Sequence, residues 1–532
     1  MYRFVSVAGI FGLLLIAWLL SEDKKRVPWR VIGWGIGLQV LFALFILKTP
    51  VGLAVFEATR LFVNRILDFT VAGASFVFGS LALNPNNPEH LRYGQPMGFF
   101  FFFGALPTII FFASLMSILY HLGIMQKVVQ GVAWVMVRTM GTSGAESLNA
   151  AANIFVGQTE APLVVKPYLA QMTKSEIMAV MAAGFATIAS GVFAVYASMG
   201  VDAGHLLAAS VMSAPAALVM AKIMCPETEE PLTKGTVRLK VERTTVNIID
   251  AAATGAADGM RLMLNVGAML IAFLGLLAMV NYVLGALDRF VMQTLLQRPP
   301  IGLNLDMVLG WLFTPLAALL GFEWRDVPKM AAILGTQIAA NEFVAYTKLV
   351  ALKDVISPRS FTLATYALCG FANFGSIAIQ LGGIGAMVPE RRQDLAKLGL
   401  RAMVAGALGC YLVATIAGVL VSDREAEWRY LVELRQRAER VQVLVQPRRI
   451  ALKFAQSGDP EEQKVAREVL TKLRQRAEQL WRETDAKAKV LLTQGKRDEA
   501  FRLYDELART IAFPEWAEKA RQAAKAITHP NP

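Results

Sequence analysis

Apolar residues in the 532-residue chain gather into stretches long enough, or nearly so, to cross a bilayer as helices, which takes about 20 mostly apolar residues each. Eight such stretches stand out: Val5 to Leu20, Val31 to Leu47, Phe99 to Tyr120, Ile177 to Met199, Leu206 to Met224, Leu262 to Leu284, Phe361 to Val388 and Ala402 to Val421. Between them lie apolar pieces too short or too polar to cross alone, in two corresponding places. Lys127 to Thr139 precedes Ser143 to Leu169, and Leu305 to Leu320 precedes Trp324 to Leu352. Each set predicts an interfacial helix followed by a helical hairpin. The hairpins break at Val156-Gly157-Gln158-Thr159 and at Gln337-Ile338-Ala339-Ala340-Asn341. Interruptions of this kind bring backbone groups and helix ends to the membrane midplane, where they line a cavity. One hairpin follows a span that enters the cytoplasmic side and the other a span that leaves it, so the two sets form an inverted repeat.

From Ser422 the pattern changes to charged amphipathic helix. Glu425 to Gln446, Pro460 to Leu492 and Asp498 to Ile511 carry apolar residues three and four apart, with breaks at Gly458-Asp459-Pro460 and Gly495. Gly495 to Ala508, with Ala500, Tyr504 and Leu507, resembles half of a tetratricopeptide repeat. A plain helical hairpin or coiled-coil appendage fits as well, because a stable solenoid normally stacks three repeats. The expected fold is thus an all-α polytopic membrane protein with eight transmembrane helices, two re-entrant hairpins and interfacial helices over 1–421. A soluble helical C-terminal domain follows over 422–532.

Composition fits that reading: 55% of residues are hydrophobic and 18% charged, too apolar for a soluble chain of this length. The opening stretch reads as a span and not a secretory signal. Arg3 is a thin positive region, no small-x-small site precedes Ser21, and a second span follows at once. Basic residues mark short cytoplasmic loops. Lys24, Lys25, Arg26 and Arg30 follow the first span, Lys234, Arg238, Lys240 and Arg243 the fifth, and Arg391, Arg392, Lys397 and Arg401 the seventh. With eight spans, both chain ends then lie outside, in the periplasm for a bacterial inner-membrane protein. The net charge of +12 needs no nucleic acid to explain it. Cys225, Cys369 and Cys410 form no CxxC pair, and the four histidines show no ligand spacing.

A carboxylate within a membrane hairpin costs about 2.5 to 3.5 kcal/mol on insertion scales, so it needs a partner or a water-filled cavity. Glu160 and Glu342 occupy equivalent places, one in each hairpin, beside Gln158 and Thr159 in the first and Asn341 in the second. Asn373 and Ser376 add an amide and a hydroxyl to an apolar span whose glycines allow unwinding. Together they suit a neutral, multiply hydroxylated solute with a planar polar part. Taken singly, each could equally bridge helices. No ring-forming filter suggests a channel, and the GxSxG and HExxH signatures of enzymes are absent.

The segments Ala151-Ala152-Asn153-Ile154-Phe155-Val156-Gly157-Gln158-Thr159-Glu160-Ala161-Pro162, Asn341-Glu342-Phe343-Val344-Ala345-Tyr346 and Cys369-Gly370-Phe371-Ala372-Asn373 resemble the concentrative nucleoside transporter family. Met224-Cys225-Pro226-Glu227-Thr228-Glu229 and the Arg391-Arg392 loop extend the likeness over nearly all of 1–421, but not over the tail. The resemblance implies a homotrimer in the bilayer, each subunit importing nucleosides with a cation by alternating access. It implies that Gln158, Thr159, Glu160 and Val192 face the nucleobase, and that Glu342, Asn373, Ser376 and Phe371 hold the ribose. It further implies a sodium ion at the side chains of Asn153 and Thr187 and the carbonyls of Val156 and Ile188, with proton coupling as the alternative. Gly375 departs from the family, where a small hydroxyl residue is common. Gly157 leaves room that hints at purines beside a uridine-like substrate. In the other reading, the chain is a nucleoside-sensing scaffold whose tail engages a partner.

Overall fold

The computed structural model describes residues 2–82, 100–235 and 245–528, and is helical, with no strand among the described residues. Phe99, Arg238, Lys240 and Arg243, used above, and two of the four histidines, His90 and His529, lie outside the described residues. The chain divides into two compact units, Met1–Val350 with Leu363–Leu420, and Ala351–Thr362 with Val421–Pro532.

In the first unit, helices α1 (Tyr2–Leu19) and α2 (Trp29–Lys48) match the first two predicted spans. A third helix, α3 (Pro50–Phe78), was not among the predicted spans. Glu57, Arg60, Arg65 and Asp68 interrupt its apolar run. They pair along its surface three residues apart, Arg60 with Glu57 at 2.7 Å and Arg65 with Asp68 at 3.8 Å. The stretch Pro50–Leu81 is nonetheless long and apolar enough to cross a membrane. Thr49 separates α2 from α3, its extended backbone ending one helix while its hydroxyl caps the next at Gly52 N, 2.9 Å away.

Helix α4 (Pro107–His121) is followed by α5 (Ile124–Met140), which stops where Gly141 turns left-handed at φ 74°. The first hairpin runs from α6 (Gly144–Ala152) through a tight turn to a 3-10 turn at Ala161–Val165 and one helical turn at Lys166–Leu169. The predicted fourth span is two helices, α7 (Lys174–Ala186) and α8 (Ser190–Ser198), followed by α9 (Ala203–Met224). The 42-residue α10 (Ile248–Arg289) leads to a second series of the same kind. That series comprises α11 (Leu305–Leu319), a hairpin of α12 (Val327–Ala339) and α13 (Glu342–Ala351), a broken pair α14 (Pro358–Ala367) and α15 (Phe374–Met387), and α16 (Arg392–Leu420). Among the described residues, eight stretches are long and apolar enough to cross a membrane. Pro50–Leu81 completes that number, while neither half of the split stretch Phe361 to Val388 reaches the length on its own.

The broken helices and the long helices closing each series form the centre. Within the apolar windows of Lys174–Ser198, Ala203–Met224 and Pro389–Leu420, 83% to 89% of residues are buried, against 12% for Ile248–Leu295. Phe4, Phe11, Phe62, Phe76, Ile271 and Tyr282 stand exposed on α1, α3 and α10, an apolar rim suited to lipid or to a second chain.

The second unit is built on α17 (Asp423–Arg437), α18 (Val445–Ala455), α19 (Pro460–Thr493), α20 (Arg497–Thr510) and α21 (Pro514–Thr528). The predicted helix Glu425 to Gln446 ends early, at Arg437. A new helix starts at Val445, because Pro447 is tolerated in a first turn but not in the interior of a continuous helix. Helix α21 was not predicted. It packs on α20, and Ala488, Ala500, Tyr504 and Ala524 share one small core. Leu431, Leu434, Phe454, Val469 and Leu473 anchor the larger core of this unit. The short segment Ala351–Thr362 belongs to this unit through polar contacts. Arg437 clasps Asp354 with both terminal nitrogens at 2.8 and 3.0 Å, Tyr430 donates to the same carboxylate at 2.8 Å, and Lys353 pairs with Glu433 at 2.7 Å.

Candidate functional site

Both broken helices open at the same level. α7 stops at Thr187, whose backbone turns extended at φ −128° and ψ 164°, and α14 stops near Leu368. The two openings bond to each other: the Phe371 amide donates to the Thr187 carbonyl at 3.3 Å. Cys410 on α16 serves the freed carbonyls, its Sγ lying 3.3 Å from Ala186 O and 3.5 Å from Cys369 O. Gly370 is required here, because a Cβ would lie 2.5 Å from Cys410 Sγ and 2.6 Å from Phe185 O. The hairpins reach the same place. Gln337 on α12 donates to Gly370 O at 3.1 Å, and Asn149 on α6 donates to Val180 O at 3.2 Å.

A chain of hydrogen bonds joins the hairpins across this opening. Asn373 caps α15 by accepting from Ser376 N at 2.9 Å, and its amide nitrogen donates to Glu342 Oε2 at 3.1 Å. Tyr196 on α8 donates to Glu342 Oε1 at 3.2 Å. Tyr196 is itself fixed by stacking on Tyr346, ring centroids 4.2 Å apart. From the first hairpin, Gln158 Nε2 donates to Ser376 Oγ at 3.2 Å. Glu342, Asn373, Ser376 and Gln158 are each at most 6% exposed. The structure thus brings together four of the predicted solute-site residues, from both hairpins and α15.

The others fall at or outside the edge of that chain. Val192 is buried on α8, Thr159 lies against Gly383, and Phe371 is half-buried. Glu160 does not share the environment of Glu342. It is exposed and folds over Gly157, where a Cβ would meet Glu160 Oε2 at 2.3 Å. The space beside Gly157 is therefore taken by Glu160 and gives no argument about base size. Two participants escaped the sequence reading. Tyr196 and Gln380 are isolated polar residues in apolar helices, a signal the sequence does carry; Gln380 donates to Gln158 Oε1 at 3.0 Å and to Met181 O at 3.1 Å.

The predicted cation ligands lie at or beside the breaks of the first hairpin and of α7. The Asn153 amide nitrogen donates to Asn149 O at 3.0 Å, which leaves Oδ1 fully buried with no hydrogen bond. The Thr187 hydroxyl spends its proton on Ala183 O at 2.9 Å, leaving lone pairs for another partner. Ile188 is buried and Val156 half-buried at the two breaks. Uncharged oxygens of this kind, one of them orphaned, fit a small hard cation.

A second polar cluster, which the sequence reading did not single out, fixes the start of the first hairpin. Lys222 on α9 lies 2.8 Å from Glu146, 3.1 Å from Glu227 and 3.1 Å from Ser175 Oγ. Ser143 donates to Glu176 at 2.5 Å, and Thr173 to Glu227 at 3.0 Å. The adjoining loop residue Glu22 accepts from Lys174 and Arg401 at 2.8 and 2.7 Å. Burial works against its charge, but these cations outweigh it and hold the carboxyl below its ordinary range. Burial pushes the neighbouring Cys225 thiol up to about 11.

Two series of hairpin and broken helix around a buried polar chain define a multi-pass helical membrane protein of the broken-helix type. Three family models cover its first unit: the N-terminus of the Na+ dependent nucleoside transporters over residues 8–81, the nucleoside recognition (Gate) segment over 102–203, and the C-terminus of the same transporters over 205–418. The chain belongs to the Na+ dependent nucleoside transporter family.

Among its relatives, solute carrier family 28 member 3 of Mus musculus is 42% identical over 432 residues, 78% of this chain and 58% of that protein. Sodium/nucleoside cotransporter 1 of Mus musculus is 41% identical over 441 residues, 80% of this chain and 65% of that protein. The chain thus spans 58% to 65% of the length of these curated relatives. Of the solved structures, CNTnw in an inward-facing substrate-bound state is 39% identical with a TM-score of 0.71, covering 79% of this chain and 98% of that one. A variant of CNTnw in an outward-facing state gives a TM-score of 0.72 at 39% identity, covering 79% and 97%.

Proposed function

We propose that this protein imports nucleosides together with sodium by alternating access. The observation that carries the proposal is the unbroken chain Gln158–Ser376–Asn373–Glu342–Tyr196, which links the two hairpins through the opening of α15. Glu342 retains lone pairs for ribose hydroxyls, and Asn373 and Ser376 flank it. Gln158, Thr159 and Val192 line the base end. Phe371 lies beside the sugar, and Glu160 swings in only when a base is bound.

Sodium sits at Asn153 Oδ1, the Thr187 hydroxyl and the carbonyls of Val156 and Ile188. The ion and the nucleoside each favour closure around the other, which is what couples their movement. The orphaned Asn153 oxygen supports sodium over a proton, because an amide does not titrate. Three subunits associate through the apolar rim of α3 and α10. The protein resides in a bacterial inner membrane with both ends in the periplasm, residues 1–421 forming the transporter and 422–532 an appended helical module. Uridine-like nucleosides are the expected substrates.

The test is uptake of radiolabelled uridine and adenosine into proteoliposomes, with sodium and proton gradients imposed separately. Uptake driven by sodium alone is expected. Equal uptake with no gradient, or uptake driven by protons alone, would overturn the coupling.

A further inference from the structure

An amide side chain offers an acceptor at one end and two donors at the other, and only its partners decide which end faces where. Gln158 is such a case, and the answer lies one residue deeper. Gln380 is fully buried on α15, with Nε2 3.1 Å from the Met181 carbonyl and 3.0 Å from Gln158 Oε1. A backbone carbonyl can only accept. The Gln380 nitrogen must therefore point toward Met181, and both its protons are then used, one on Met181 and one on Gln158.

Gln158 is left no choice. Its oxygen faces Gln380, and its nitrogen faces Ser376 Oγ at 3.2 Å. Rotating the Gln158 amide by half a turn would set two NH2 groups against each other beside the fully buried Gln380. Gly184 makes the pairing possible, since a Cβ there would lie 2.8 Å from Gln380 Nε2 and 2.9 Å from Gln158 Cβ. The end of Gln158 that remains for a solute is its second N–H, and Ser376, having accepted from Gln158, keeps its own proton to donate.

We propose that Gln380 is a positioning residue that locks Gln158 as a hydrogen-bond donor, so that the base end of the site selects nucleosides carrying a carbonyl oxygen on the edge that Gln158 meets. This rests on the nucleoside reading above and refines it. The polarity runs one way along the site: a donor from Gln158 at the base end, the accepting carboxylate of Glu342 at the sugar end. A nucleoside matches it with acceptors on its base and hydroxyl donors on its sugar.

Two variants perturb the lock independently. Gln380→Met keeps the length but removes the donor that holds the Gln158 oxygen, so the amide can turn either way. Gly184→Ala forces the two glutamines apart. Each is assayed with uridine, with 2-thiouridine, whose sulfur is a weak acceptor, and with zebularine, which lacks the oxygen at ring position 4.

In the native protein, one of the two analogues is expected to lose about tenfold in kcat/KM relative to uridine, the worth of one hydrogen bond. In both variants that penalty should shrink below about twofold, because a rotating amide no longer demands an acceptor. The proposal is overturned if neither analogue is penalised in the native protein. It is also overturned if the penalty survives intact in the variants, or if both variants are inert toward all three nucleosides, which would make Gln380 purely structural. Absence of uridine uptake by the native protein would instead refute the nucleoside reading itself.

Discussion

Replacing Glu342 by glutamine changes the charge at the sugar end of the site while keeping its shape. In the native protein the two carboxylate oxygens accept separately, Oε1 from Tyr196 at 3.2 Å and Oε2 from Asn373 at 3.1 Å. Glutamine can satisfy both neighbours. Its oxygen takes the Asn373 amide and its nitrogen turns to Tyr196, whose hydroxyl rotates to accept. The fold should therefore lose no more than about 1 kcal/mol, the worth of one neutral hydrogen bond.

Binding should suffer more. A hydrogen bond to a charged group is worth about 1.5 to 3 kcal/mol against about 0.5 to 1.5 for a neutral one, so two ribose hydroxyls together lose about 2 kcal/mol. That corresponds to about a thirtyfold rise in KM for uridine. Sodium-driven uptake into proteoliposomes measures it, with 2′-deoxyuridine and 3′-deoxyuridine as controls. Removing a hydroxyl should penalise the native protein more than the variant, because the variant has already lost the charge that hydroxyl engages. If Glu342→Gln keeps the native KM, or if both proteins lose equally on removal of each hydroxyl, the assignment of Glu342 to the sugar fails.

Other outcomes follow from the same geometry. Asn153→Ala removes the orphaned oxygen and should raise the sodium concentration for half-maximal uptake at least about tenfold, with the uridine KM at saturating sodium nearly unchanged; an unchanged sodium dependence would dismiss that ligand. Lys222→Met leaves Glu146 buried without its cation and should cost about 3 to 5 kcal/mol, seen as a lower melting temperature in detergent. Adding Glu146→Gln should recover part of that loss, and a double variant no more stable than the single one would argue against the pair. The Cys225 thiol, pushed up to about 11, stays protonated at pH 8 and should resist maleimide in the folded protein, then react on denaturation. Rapid labelling of the native protein would contradict its burial.

The sequence reading was reliable where apolar runs were uninterrupted and where a charged or amide residue stood alone in one. Gln158, Glu342 and Asn373 were legible for that second reason, since burying such groups without a purpose is costly, while Asn153 came only with the family resemblance. Legibility failed in two ways. Helix α3 was hidden because ion pairs between residues three apart offset charges that a residue-by-residue hydropathy count charges in full. Gln380 carries the same signal, an amide alone in an apolar run, but its role and that of Lys222 depend on distant partners: Gln380 meets Gln158 across 222 positions and Lys222 meets Glu146 across 76, and no local window contains both members. Glu160 shows where equivalent positions in sequence part in structure. The sequence sets Glu160 and Glu342 in equivalent places, but only Glu342 is buried in the polar chain, whereas Glu160 is exposed and bends back over Gly157.

The short segment Ala351–Thr362 means that the C-terminal module cannot be regarded as a detachable fusion. It runs from the end of α13, which begins at Glu342, into α14, yet Asp354 and Lys353 find their partners at Arg437, Tyr430 and Glu433. Arg359, 1% exposed, is likewise tied to Val421 and Asp423. A stop codon at position 423 would therefore do more than shorten the polypeptide. It would remove Arg437, Tyr430 and Glu433 from Asp354 and Lys353, and Asp423 from Arg359. Silencing of uptake by such a truncation would say nothing about regulation until the orphaned charges were neutralised in the same gene.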